Sequence, residues 1–90
     1  MIIIGIDPGQ SGGMAYIDDD GAACWKMPET ERDIFDLLEG YRDHVDSQQI
    51  VVFLESVHSM PGQGVSSMFK FGRGYGFLRG VITALKYPLH

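Results

Sequence analysis

Residues 1–13, MIIIGIDPGQSGG, are the stretch on which the fold turns. Ile2, Ile3, Ile4 and Ile6 are β-branched, and a short apolar run of that kind predicts a buried strand rather than a helix. The run stops on Asp7, placing a carboxylate where the strand leaves the core. Pro8-Gly9 then turns the chain, and Gly12-Gly13 allow close backbone approach or positive φ. An Asp before Pro-Gly also has a plain use as a turn cap, so Asp7 alone reads equally well either way.

A second stretch has the same shape. Ile50-Val-Val-Phe-Leu-Glu55 is again an apolar run that ends on one carboxylate. If the two runs lie parallel and adjacent, Asp7 and Glu55 emerge together at the carboxyl edge of one sheet, where open α/β sheets bind ligands. Two carboxylates brought together repel unless a cation sits between them. An all-oxygen site of this kind suits Mg²⁺ or Mn²⁺, with water and phosphate completing the shell.

Ninety residues, 44% of them hydrophobic, make one small globular domain. No apolar run approaches the roughly 20 residues of a membrane span. The opening Ile run is too short for a signal peptide core, and no basic segment precedes it. The single cysteine, Cys24, excludes an internal disulfide and a Cys-rich zinc site, so a cytoplasmic setting is expected. Net charge is −5, but all 12 acids lie at or before Glu55. Beyond it stand only bases: Lys70, Arg73, Arg79 and Lys86, with His58 and His90. Such asymmetry suggests that the later segment faces a polyanion.

Gly13 to Ile17 and Ala22 to Met27 read as two further strands around the turn Asp18-Asp19-Asp20-Gly21, giving an antiparallel meander. The triple Asp lacks calcium-loop spacing and reads as a solvated hairpin turn. Thr30 with Asp33 resembles a capping box. Ile34, Leu37, Leu38, Tyr41 and Val45 then recur at helical spacing, predicting a helix over about 30–46 with His44 on the surface. A loop over 56–64 follows the second carboxylate. Ser66 or Ser67 is expected to cap a second helix over about 66–86, which Pro88 prevents from continuing. Phe71, Tyr75, Leu78, Ile82 and Leu85 form its apolar stripe, and Gly72, Gly76, Gly80 and Ala84 a small-residue stripe. Each interior Gly costs on the order of 1 kcal/mol against Ala, so close approach to the sheet or to another helix is expected in return.

Three stretches carry a resemblance: Ile4-Gly-Ile-Asp-Pro-Gly9, the strand ending Leu54-Glu55, and Lys70-Phe-Gly-Arg-Gly-Tyr-Gly76. In these and in element order the chain resembles the RuvC-type Holliday junction resolvases, phage-like members included, of the ribonuclease H-like superfamily. The resemblance implies an α/β domain over residues 1–90. Its mixed sheet would combine a three-stranded antiparallel meander with a parallel strand, alongside two helices. It also implies a metal-dependent, structure-selective DNA endonuclease in which Asp7 and Glu55 are two of four carboxylates holding a pair of Mg²⁺ (or Mn²⁺) ions. Lys70 and Arg73, with Ser67 at the helix start, would approach the phosphates of a four-way DNA junction, and Phe69 would stack on an unpaired base. Similar resolvases are homodimers, and Gly72, Gly76 and Gly80 would lie in the dimer contact.

The family's remaining catalytic acids lie late in a chain nearly twice as long. Here no acid follows Glu55, and Pro88-Leu89-His90 falls about where a fifth strand is expected to begin. The ninety residues are therefore expected to be the N-terminal portion of a resolvase, inactive as they stand. Two readings from other classes stay open. One is an actin-like ATPase or kinase fragment, with Gly9 to Gly13 cradling phosphate. The other is a non-catalytic dimerisation or DNA-binding remnant.

Overall fold

The computed structural model describes residues 1–9, 12–55 and 64–90. It is an α/β fold with one four-stranded mixed sheet and two α-helices. Strands β1 (Ile2–Asp7), β2 (Gly13–Asp18) and β3 (Gly21–Lys26) form the antiparallel meander. Strand β4 (Ile50–Leu54) pairs parallel to β1, so the spatial order is β3-β2-β1-β4.

The hairpin turn is built as its residues suggest. The Asp18 carboxylate accepts from the backbone N–H groups of Asp20 (2.9 Å) and Gly21 (3.1 Å). Gly21 takes φ 155°, a region in practice open only to glycine. The Tyr16 hydroxyl also donates to Asp18 at 2.7 Å, and this bond holds the Asp18 carboxyl below its ordinary pKa while raising that of the phenol.

Side chains alternate across β1 and β4. Ile2, Ile4, Ile6, Ile50, Val52 and Leu54 are buried on one face. They form a single core with Ile34 and Leu38 of α1 (Glu31–Gly40) and with Leu78, Val81 and Ile82 of α2 (Val65–Ala84). Both helices thus cover the same face. The opposite face, where Asp7, Phe53 and Glu55 project, is left open among the described residues, with Phe53 50% exposed.

Helix α1 begins as expected, with the Thr30 hydroxyl accepting from the Asp33 N–H at 3.1 Å. It ends at Gly40, six residues before the expected end at 46. Tyr41–Asp43 tighten into a 3₁₀ turn, and a second such turn, Ser47–Gln49, is capped by Asp46. Two contacts account for the early end. The Tyr87 hydroxyl takes the Leu38 carbonyl, and Tyr41 packs its ring against Tyr16 at 5.2 Å. Val45 still reaches the core, which is why the apolar stripe seemed to continue. His44 is exposed, as expected.

Helix α2 starts one residue early and is capped at Gly64, not at Ser66 or Ser67. Its end is a Schellman arrangement, in which Tyr87 N–H bonds Ile82 C=O and Lys86 N–H bonds Thr83 C=O. Lys86 occupies the left-handed position at φ 64°, so the helix stops before Pro88 can act. Leu78, Ile82 and Leu85 of the expected stripe are buried, whereas Phe71 and Tyr75 are only partly so. The small-residue stripe does not approach the sheet. A Cβ added at Gly72, Gly76 or Gly80 would meet no neighbouring atom within 4 Å. Residues 64–70 are all exposed, so the first turns of α2 stand clear of the core.

After α2 the chain returns to the sheet. Leu89 forms a parallel bridge to Val52 on the free side of β4, with Val52 N–H donating to Pro88 C=O at 2.8 Å.

Candidate functional site

The β1–β4 register decides where the two carboxylates go. Ile6 pairs with Leu54, and the Glu55 N–H donates to the Ile6 carbonyl at 3.0 Å. Asp7 and Glu55 therefore leave neighbouring parallel strands at the same level. Both are exposed, and by alternation both project on the open face.

Backbone geometry at the β1–β2 connection is tight. Gly12 N–H donates to Gly9 C=O at 3.0 Å. A Cβ at Gly12 would fall 1.9 Å from the Asp7 carbonyl oxygen, and one at Gly13 would fall 2.8 Å from the Trp25 carbonyl oxygen. These two glycines are required by close approach, as the sequence suggests. A phosphate cradle over Gly9 to Gly13 would include Gln10 and Ser11, which lie outside the described residues.

Asp7 and Glu55 line one groove of about 830 Å³ on the open face. Its floor is small, formed by Gly5, Ala15 and Cys24, and its flanks carry Lys26 and His90. Lys26 pairs with Gly13, which pairs with Asp7. The ammonium's strand thus lies two strands from the carboxylate's, roughly 10 Å at sheet spacing. On the other flank the His90 N–H donates to Val52 C=O (2.8 Å) and Leu54 N–H donates to His90 C=O (3.1 Å). The imidazole stacks on Phe53 with centroids 5.3 Å apart and planes at 26°.

Sequence reasoning did not place Lys26 or His90 at the site. Alternation put Phe53 on the Glu55 face, but the registers that bring in Lys26 and His90 have no local signal. Among the described residues, no group of three or more His, Cys, Asp or Glu side chains is gathered closely enough to hold a metal ion. Asp7 and Glu55 contribute two exposed carboxylates to the groove.

The chain matches no known family model and no curated protein sequence.

The expected nucleic-acid contacts divide between two sides of α2. Ser67 and Lys70 line a pocket between α2, α1 and the Pro8-Gly9 turn. Phe69 is 68% exposed and lies elsewhere; it stands nine residues, or two and a half helical turns, before buried Leu78. Arg73 is exposed and does not line the pocket. Among the described residues neither Lys70 nor Arg73 makes an ion pair, whereas Arg79 lies over the Tyr75 ring at 5.9 Å. The rest of the loop expected at 56–64, apart from Gly64, is outside the described residues. Among those described, no helix is long and apolar enough to cross a membrane.

Proposed function

We propose that this chain belongs to a metal-dependent DNA endonuclease acting on branched DNA, of the RuvC type within the ribonuclease H-like superfamily. The observation that carries the reading is the Asp7–Glu55 juxtaposition at the carboxyl ends of adjoining parallel strands, opening on an uncovered groove. The sheet order and the acid-free, basic segment after Glu55 support it.

Asp7 and Glu55 would hold Mg²⁺ or Mn²⁺ through carboxylate oxygens. When bound, such an ion supplies charge that activates water and stabilises the leaving oxygen of a phosphodiester. Lys26 on the flank, and Lys70 and Arg73 on α2, would bind phosphates and set the strand's path. Two carboxylates hold a second ion poorly, so cleavage by these ninety residues is expected to be slow or absent.

Metal binding followed by calorimetry, beside nicking of a four-way junction in Mn²⁺, tests this. Weak Mn²⁺ binding should vanish in Asp7→Asn and in Glu55→Gln, and any nicking should vanish with it. Binding that survives both substitutions sinks the proposal. Junction binding should be salt-sensitive, and Lys70→Ala with Arg73→Ala should weaken it and flatten its salt dependence.

A homodimer belongs to the same proposal. Gly72, Gly76 and Gly80 face open space beside exposed Phe69 and Val65, a surface a second copy's helix could approach closely. Gly76→Leu should shift the sedimenting mass towards monomer. A parent chain that is already monomeric removes this part.

A further inference from the structure

The two outer edges of the sheet differ. Beyond β4, the Leu89 bridge and the bond from His90 N–H to Val52 C=O (2.8 Å) occupy the strand's free side. Beyond β3, no strand follows among the described residues. Residues 21–24 and 26 are all exposed there, and only Trp25 is half-buried.

The ladder fixes which backbone groups this bare edge presents. Gly13 pairs with Lys26, and one step further the Met27 N–H donates to Gly12 C=O at 3.4 Å. Bonded and non-bonded pairs alternate along an antiparallel ladder. Gly21, Ala23 and Trp25 therefore turn their N–H and C=O groups to β2, whereas Ala22, Cys24 and Lys26 turn theirs away from the sheet. None of these outward groups has a backbone partner among the described residues. Sheet edges are ordinarily blunted by proline, a bulge or several charges. Here the register from Gly13↔Lys26 to Asp18↔Gly21 runs without a bulge, the strand has no proline, and Lys26 is its only charged residue.

Charge decides what fits the edge. The strand starts directly after the acidic turn Asp18-Asp19-Asp20 and ends on Lys26. An antiparallel copy of the same strand brings each Lys26 beside the other copy's acidic turn, whereas a parallel copy would set like beside like.

We propose that β3 pairs antiparallel with β3 of a second copy, joining two four-stranded sheets into one across a two-fold axis at Cys24. This register sets Ala22 opposite Lys26 and Cys24 opposite itself, so every outward N–H and C=O of both strands bonds across the axis. Small Ala22 leaves the Lys26 stem room to lean diagonally towards Asp20 of the other copy. The axis stands normal to the sheet, so both open faces, each with its Asp7–Glu55 groove, look the same way. The contact depends neither on the nuclease reading nor on the glycine face of α2, which belongs to the helical layer.

Sedimentation of reduced Gly76→Leu, whose bulk obstructs the α2 face, reads this contact alone. A reversible dimer is expected. Lys26→Asp should raise its dissociation constant about tenfold, since an attraction becomes a repulsion at both ends of the ladder. Adding Asp20→Lys to Lys26→Asp should restore it. Cys24→Pro should abolish the dimer with unchanged circular dichroism, because an edge strand tolerates proline where the N–H faces solvent. Mild copper–phenanthroline oxidation reads the register. Bonded antiparallel pairs lie about 5.5 Å apart at Cα, within disulfide reach, so Cys24 should cross-link to its own copy. A thiol moved to position 22, in Ala22→Cys with Cys24→Ser, stands far from its copy and should not. A monomer at every concentration, a charge swap that restores nothing, or equal cross-linking at the two positions overturns the proposal.

Discussion

The two helices share one face of the sheet and are built on opposite terms. Helix α1 has 10 residues, a side-chain cap from Thr30, ion pairs at Arg32–Asp36 (3.3 Å) and, just past its end, Glu39–Arg42 (3.4 Å), and buried Ile34 and Leu38. Helix α2 has 20 residues and no side-chain cap, and it buries only Leu78, Val81 and Ile82, all in its second half. Its first turns present Ser67, Phe69 and Lys70 to solvent. The difference divides the helical layer in two: α1 and the end of α2 pack on the sheet, and the start of α2 stands clear of the core.

Truncating each helix tests that division most severely. Leu38 is fully buried, so Leu38→Ala should cost about 2–5 kcal/mol, a large share of the roughly 5–15 kcal/mol that holds a small domain folded. Phe69→Ala should stay within about 0.5 kcal/mol, because the ring is exposed. Urea unfolding measures both, and comparable losses would break the contrast.

The caps come next. Thr30→Ala removes an acceptor from the Asp33 N–H and should cost about 1 kcal/mol. Ser67→Ala should cost almost nothing, since the N-cap of α2 is Gly64.

Glycine sharpens the comparison from the other direction. A Cβ at Gly76 meets nothing, so Gly76→Ala at concentrations favouring monomer should raise stability by about 0.8–1 kcal/mol. A loss instead would mean that the outer face of α2 is already in contact with something.

The smallest effect is confined to alkaline solution. Burial pushes the Tyr41 phenol up to about 12, while in the unfolded chain it ionises near the usual value of 10.0. Above that lower value the unfolded state loses a proton that the folded state keeps, so stability declines as pH rises from 10 towards 12. Tyr41→Phe should flatten part of that decline in thermal melts. At neutral pH it should cost little, since the buried hydroxyl has no hydrogen-bond partner among the described residues.

How much of this was legible depended on how local each signal was. The strands announced themselves through β-branched runs, and the Asp7–Glu55 pairing followed once two runs of similar length ended on acids. The end of α1 did not announce itself. Leu37, Leu38, Tyr41 and Val45 keep helical spacing, and it takes Tyr87, far along the chain, to claim the Leu38 carbonyl. The cap at Gly64 was hidden by two serines that looked better suited. Lys26 and His90 enter the groove through registers that only assembly defines. The separation of Phe69 from the pocket was readable from the 3.6-residue period, had Phe69 been compared with Leu78.

The parallel contact of β4 with β1 also bears on how the chain assembles in time. The meander pairs near neighbours, Asp18 with Gly21 at its tip, so its ladders close over short loops. The β1–β4 ladder joins Ile2 to Ile50, and the Leu89 bridge to Val52 must wait for the whole of α2. Long closures lose more chain entropy before any contact compensates, which makes them late and slow. During synthesis β1 would therefore emerge with one edge paired to β2 and the other bare. Until Ile50 to Leu54 arrive, that bare edge is where a neighbouring nascent chain could pair wrongly.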